Sequence, residues 1–167
     1  MRPKLLAAIA VLLALLVGAS LAFADTTTIR DSKRETKALR KNGRVDIVRA
    51  IAGHEGALLE HRIVVRERID TDRRRERPLI GINTRGGGHS DPEFLVYGDD
   101  IFKNRRKGDP KRVGAATLAA DGRKWTYRFS PGEFPDGGLG RYGWVAFTTT
   151  AKALDVVPVN SYAIHKP

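Results

Sequence analysis

Short apolar runs with a period of two, broken by glycine and aspartate, constrain the fold of this chain more than any other feature. The stretch ALLEHRIVVRERI, residues 57–69, alternates between an apolar face and a charged face. Its apolar face carries Ala57, Leu59, His61, Ile63, Val65 and Ile69. This period, together with the β-branched run Ile63-Val64-Val65, is typical of a half-buried β-strand and not of a helix.

Similar runs recur along the chain, namely RVDIVRAIAG, PLIGINT, EFLVYG, VGAATLAA, KWTYRFS and YGWVAFTTT. The stretch GHEG, from Gly53 to Gly56, predicts a turn. The stretch TLAADGRKWTYRF predicts a tight hairpin with Asp121-Gly122 at the central positions of a type I′ turn. About eight short strands joined in this way predict an all-β protein, an antiparallel β-sandwich that is jelly-roll-like.

The N-terminal segment predicts an export signal and not a part of the sandwich. Arg2 and Lys4 precede an unbroken apolar run from Leu5 to Val17. The small residues Ala22 and Ala24 then occupy the two positions that a signal peptidase reads. This three-part pattern is typical of a cleaved secretory signal peptide.

The chain therefore divides into a signal peptide (1–24), a polar N-terminal arm (25–44) and a β-sandwich domain (45–167). Within the arm, SKRETKALRKNG predicts either a short helix capped by Ser32 or an extended segment. We expect a secreted, extracellular protein. The alternative is a protein anchored by an uncleaved N-terminal segment, since residues 5–24 are long enough to cross a bilayer. The chain has no cysteine, so packing alone must hold its core.

Four short motifs of the chain are similar to those of a known group. They are Asp46-Ile47, Leu59 with His61, Tyr142 with Trp144, and Asp155 with Pro158. By these motifs the chain resembles a loose group of exported actinobacterial β-sandwich proteins. The resemblance implies a fold and a location outside the cytoplasm, and it carries over no activity and no catalytic residue.

Two basic clusters stand out in a chain whose net charge is +11. The first contains Arg73, Arg74, Arg75 and Arg77, and the second contains Lys103, Arg105, Arg106, Lys107, Lys111 and Arg112. We hypothesise that Arg73, Arg74, Arg75, Arg77, Arg105, Arg106 and Lys107 bind an anionic cell-wall polymer or polysaccharide, because a positive surface attracts polyanions. Nucleic acid is not the expected partner of an exported chain whose aromatic residues alternate like core residues. The competing interpretation is a charged surface that serves solubility alone.

Two possible metal sites fail on residue spacing. Asp70 and Asp72 begin a calcium-loop pattern, but Arg74 and Arg75 occupy positions that need a ligand and a glycine, and Gly81 replaces the bidentate glutamate. His89, Asp91 and Glu93 share one face of an extended chain, but the glycines before them and Pro92 favour a loop. We therefore expect no metal and no cofactor.

The sequence also shows no defined set of catalytic residues for a hydrolase. His89, Ser90 and Asp91 have the residue types of a triad, but neighbours on an extended chain point to opposite faces. His54, His61 and His165 have no ligand spacing, and the place of His61 on an apolar face predicts a hydrogen-bonded core or rim histidine.

Our leading hypothesis is therefore a non-enzymatic exported β-sandwich that associates with the cell envelope. One alternative is a wall-glycan hydrolase that uses loop carboxylates, with the candidates Asp99, Asp100, Glu133 and Asp136. Another is a carbohydrate-binding module that uses exposed aromatic residues such as Phe134 or Tyr142.

The first testable prediction concerns export. When the full chain is expressed in a bacterial secretion host, we expect the protein in the medium or wall fraction to begin at Asp25, because cleavage follows Ala22-Phe23-Ala24. Mass spectrometry of the recovered protein measures this. Recovery of only the full-length chain in membranes would contradict cleavage and support the anchored alternative.

Overall fold

Two antiparallel β-sheets form the structure, a computed structural model that describes residues 26–31, 45–69, 78–84, 91–105, 107–135, 139–150, 153–158 and 162–166. The first sheet has the order β1-β2-β3-β9-β8, with β1 (Thr27–Arg30), β2 (Ile47–Glu55), β3 (Leu58–Val65), β8 (Thr117–Asp121) and β9 (Lys124–Phe129). The strands of the second sheet are β4 (Leu79–Asn83), β5 (Phe94–Tyr97), β6 (Asp100–Lys103), β7 (Lys111–Ala115), β10 (Tyr142–Thr150), β11 (Ala153–Val157) and β12 (Ala163–His165). Their order is β11-β10-β4-β5-β6-β7, with β12 also beside β10. The predicted all-β, sandwich-like architecture is confirmed.

The core lies between the two sheets and follows the alternation of the strands. The inward residues of β3 and β9 lie directly opposite one another: Leu59 with Phe129, His61 with Tyr127, and Ile63 with Trp125. The second sheet contributes the buried side chains Ile80, Ile82, Phe94, Val96, Ile101, Trp144 and Ala146. Full burial of one such large apolar side chain stabilises the fold by about 1.5–3 kcal/mol.

Strand β2 is longer than its sequence predicts. It continues through Gly53, which pairs with Glu60, and the turn consists of Gly56 and Ala57. The turn expected over Gly53–Gly56 was therefore placed too early, because Gly56, with φ of 60°, is the glycine that the backbone needs. At the other end of β2 a bulge between Ile47 and Arg49 shifts the register against β3.

The stretch VGAATLAA contains two strands and not one. Strand β7 ends at Ala115 in the second sheet, and β8 begins at Thr117 in the first. The single residue between them, Ala116, donates its backbone N–H to the Asp99 carbonyl at 3.0 Å. The chain thus passes from one sheet to the other within one residue, with no glycine or proline to mark the step.

Part of the polar arm belongs to the first sheet, because β1 pairs along its length with β2, from Thr27 opposite Ala52 to Arg30 opposite Arg49. The signal segment and the helix considered after Ser32 lie outside the described residues. Among the described residues there is no helix long and apolar enough to cross a membrane.

The β8–β9 hairpin is present, but its turn is displaced by one residue from the prediction. Asp121 pairs with Lys124, so the two central residues are Gly122 and Arg123 and not Asp121-Gly122. Gly122 has φ of 59°, as the first central position of a primed hairpin turn requires. Asp121 instead ends β8 and forms an ion pair with Lys124 at 3.5 Å.

We predict that Gly122→Val lowers the free energy of unfolding by about 1–3 kcal/mol, because it forces a β-branched residue to positive φ. A Cβ at position 122 would meet no atom within 4 Å, so the cost comes from the backbone alone. Gly140→Val is the matched control, since Gly140 has equal space and no positive φ. Urea denaturation measures both variants, and equal losses would contradict the role of the turn.

Candidate functional site

The structure describes only two of the seven predicted anion-binding residues. Arg105 and Lys107 are exposed in the connection that follows β6. Arg73, Arg74, Arg75 and Arg77 lie outside the described residues, as does Arg106. Whether the two basic clusters adjoin therefore stays a prediction.

The basic residues on either side of this connection differ in the contacts that they make. Lys111, at the start of β7, is exposed. Arg112 forms an ion pair with Asp100 across the β6–β7 hairpin. Lys103 places its Nζ 5.7 Å from the centroid of the Phe94 ring, within the range of a cation–π contact. The second cluster thus offers Arg105, Lys107 and Lys111 to solvent.

Three of the four loop carboxylates considered for catalysis have structural partners. The Asp99 side chain accepts the Leu118 backbone N–H at 3.2 Å, and Glu133 Oε2 accepts that of Ala115 at 3.0 Å. Asp100 is paired with Arg112. The Asp99 and Glu133 side chains therefore hold the segment between β7 and β8 in place. The fourth, Asp136, lies outside the described residues, as do Asp70, Asp72, His89 and Ser90.

Phe134 and Tyr142, the aromatic residues considered for a sugar-binding platform, are in the core, so their predicted exposure is wrong. Phe134 packs edge-on against Phe94, with ring centroids 5.2 Å apart, and Tyr142 is buried between the sheets. Both side chains face inward because their positions continue the buried faces of the fold. Sequence alone does not separate a loop aromatic from one that folds back over the core.

Three histidines converge at one end of the sandwich. His61 is fully buried on β3, and its Nε2 lies 2.7 Å from the Tyr142 hydroxyl, which confirms the expected hydrogen-bonded core histidine. His165, at the end of β12, brings its Nε2 to 3.2 Å from Nε2 of the exposed His54. The Tyr142 and His165 rings meet edge to face, with centroids 5.5 Å apart. No spacing along the chain links these residues, because they come from three strands of two sheets.

Burial keeps the central histidine neutral. Desolvation, reinforced by the nearby His165 and His54, lowers the pKa of His61 to about 3. Burial also raises the pKa of the Tyr142 hydroxyl. This pair is therefore a neutral hydrogen-bonded unit of the core at ordinary pH and has no proton to exchange near pH 7.

Three aspartates that sequence reasoning did not single out as a site meet at the opposite end of β2. Asp31 follows β1, Asp46 precedes β2, and Asp155 lies in the middle of β11. One carboxylate oxygen from each lies within 4.8 Å of the other two. The site thus joins both sheets.

The two innermost carboxylates are buried and are held by strong donors. Asp155 Oδ2 accepts the Ile47 backbone N–H at 2.6 Å, and Oδ1 accepts that of Val156 at 2.9 Å. Asp46 Oδ2 accepts Arg66 Nε at 2.7 Å, whereas Asp46 Oδ1 is buried and accepts no hydrogen bond among the described residues.

Burial and mutual repulsion disfavour charge in this cluster. Desolvation, followed by the charges of Asp155, Asp31 and Glu67, raises the pKa of Asp46 to about 6. Desolvation likewise raises the pKa of Asp155, against the two backbone donors that lower it. A sequence signal did exist: Asp155 alternates with the outward Leu154 and Val156, and a carboxylate at an inward strand position is costly unless it has partners.

No protein-family model, no curated protein and no solved structure matches this chain.

The neutral state of His61 predicts an acid-dependent loss of stability. Its pKa falls from 6.5 in the unfolded chain to about 3 in the folded one, so the unfolded chain takes up the proton first and the free energy of unfolding decreases as the pH falls below 6.5. Between pH 7.5 and 5 this contribution amounts to about 2 kcal/mol.

Urea denaturation of wild type and His61→Gln at pH 7.5, 6.5 and 5 measures the effect. We expect the variant to be less stable at pH 7.5 but to lose less on acidification. Tyr142→Phe is the control, because it removes the hydrogen-bond partner and keeps the buried imidazole. Equal pH dependence of wild type and His61→Gln would contradict the assignment.

Proposed function

We propose that this protein is an exported basic β-sandwich that associates with an anionic polymer of the cell envelope or its surroundings. The observation that carries the proposal is the β6–β7 hairpin, whose connection presents Arg105 and Lys107 to solvent beside the exposed Lys111. These three cations form no ion pair among the described residues. Asp109 is the one acid between β6 and β7, so the connection is strongly positive.

The charge of the whole chain supports the same function. A net charge of +11 produces a positive field that raises the local concentration of polyanions and makes their binding sensitive to salt. A repeating anionic polymer also fits a group of exposed cations better than a small ligand does, because successive charges of the polymer can each engage one cation. The first arginine cluster, over residues 73–77, belongs to the proposal and extends the surface if it adjoins the hairpin.

Export, the cleaved leader and the relationship to the actinobacterial group are parts of this proposal, as is the jelly-roll-like description of the fold. The three passages of the chain between the sheets, after β3, β7 and β9, support that description. A wall-glycan hydrolase has less support, since Asp99, Asp100 and Glu133 bind backbone groups or an arginine.

The test is retention of the purified protein on isolated bacterial cell walls and on immobilised polyphosphate, with uncharged dextran as the blank. We compare wild type with a variant in which Arg105, Arg106 and Lys107 are changed to Ser. The matched control changes the exposed Arg30, Arg49 and Arg68 to Ser, which removes the same charge elsewhere.

We expect the hairpin variant to bind about tenfold more weakly at low salt. We also expect the slope of log affinity against log salt to be shallower by roughly two, because a variant with fewer cation contacts releases fewer counterions when it binds. The control should lose little. Equal retention of both variants, or wild-type retention that salt does not change, would contradict specific use of the hairpin. A variant in which Arg73, Arg74, Arg75 and Arg77 are changed to Ser tests the first cluster in the same way.

A further inference from the structure

The acidic cluster of Asp31, Asp46 and Asp155 has the composition of a cation site. All three side chains offer carboxylate oxygens, and these oxygens lie within 4.8 Å of one another. Calcium binds oxygens at about 2.3–2.6 Å, so two of its ligands are at most about 5 Å apart. The three oxygens are therefore close enough to approach one ion together.

A second observation concerns one buried oxygen of Asp46. Asp46 is fully buried, yet its Oδ1 accepts no hydrogen bond from any described residue. An ionised carboxylate oxygen that has left water without a new partner destabilises a fold, and proteins avoid it by pairing the charge or by coordinating a metal. Arg66 Nε contacts the other oxygen of Asp46, Oδ2, at 2.7 Å.

The carboxylates of the cluster suit a divalent ion. They carry three negative charges when ionised, and Arg66 forms an ion pair with Asp46. The oxygens of Asp155 each accept one backbone N–H and retain a second lone pair. These backbone donors hold the carboxylate in one orientation, as the supporting shell of a metal site does.

We propose that Asp31, Asp46 and Asp155 bind a divalent cation of the calcium and magnesium class, which joins β1, β2 and β11 at the seam between the two sheets. Oxygen ligands select such hard cations over zinc or copper, which prefer histidine and cysteine. The histidine pair His54–His165 lies at the other end of β2 and contributes no ligand. Water completes the coordination, since three carboxylates supply fewer than the six to eight oxygens that calcium takes.

This inference is independent of polyanion binding, because β11 and the β6–β7 hairpin lie at opposite edges of the second sheet. It also differs from the rejected calcium loop at Asp70 and Asp72. That pattern lies in one short stretch of sequence, whereas Asp155 is more than one hundred residues from Asp31 and Asp46.

The experiment uses the purified full chain after treatment with EDTA. Isothermal titration with CaCl2 and with MgCl2 measures affinity and stoichiometry, and differential scanning calorimetry measures Tm with and without each salt. We expect one site for at least one of the two ions, and a Tm higher by roughly 5 °C at an ion concentration about 100-fold above Kd.

Asp46→Asn is the decisive variant. It keeps the shape of the side chain and removes one of the repelling charges, so its Tm in EDTA should equal or exceed that of wild type while its response to the cation is lost. Asp31→Asn, on a half-buried residue, gives a second variant with the same expectation if Asp46→Asn does not fold. Asp121→Asn, at an exposed carboxylate at the end of β8, is the matched control and should respond like wild type.

Three results would overturn the proposal. The first is no heat of binding and no change of Tm with either ion. The second is a response that Asp46→Asn and Asp31→Asn both retain. The third is a response to ZnCl2 alone that His54→Ala removes, since it would place the ion on the histidine pair.

Discussion

The hydrogen bond from the Ile47 backbone N–H to the Asp155 carboxylate, at 2.6 Å, joins the two sheets at one edge of the sandwich. Without disulfides, the edge strands β1 and β11 depend on such contacts to keep the sheets in register. The Thr148 hydroxyl donates to the Val45 carbonyl at the same seam. The segment that leads into β2 is thus attached to the second sheet at two points, and its bulge aligns Ile47 with the core.

This way of closing the sandwich explains why charge is buried at the seam. A carboxylate binds backbone N–H groups more strongly than a neutral acceptor does, but its burial adds negative charge beside Asp46 and Asp31. A bound divalent cation keeps the strong acceptors and removes the repulsion. At the other end of β2 the same two sheets meet through neutral groups, since the Thr27 hydroxyl donates to the Ile164 carbonyl and His61 pairs with Tyr142. The two ends of one strand therefore close the fold by different chemistry.

The alternation of β3 and β9 was sufficient to predict their inward faces, because the residues on those faces are apolar or aromatic, apart from His61, whose Nε2 meets the Tyr142 hydroxyl within the core. Turn positions and sheet changes were less predictable. The change from one sheet to the other at Ala116 does not interrupt the sequence pattern of the strands. The position of the turn at Gly122 depends on which residue pairs with Lys124. The acidic cluster combines residues more than one hundred positions apart, so only the inward place of Asp155 within LDVV could have indicated it. The first arginine cluster was prominent in sequence, yet position within the fold decides whether its charge is concentrated or dispersed.

The most direct measurement of the central claim is an anomalous difference map from crystals of the full chain grown with MnCl2, because Mn²⁺ takes the same oxygen ligands and is identified by its own scattering. Our account predicts a peak at bonding distance from carboxylate oxygens of Asp31, Asp46 and Asp155. A map with no peak there, and with Asp46 and Asp155 sharing a proton in a short oxygen–oxygen contact instead, would contradict it.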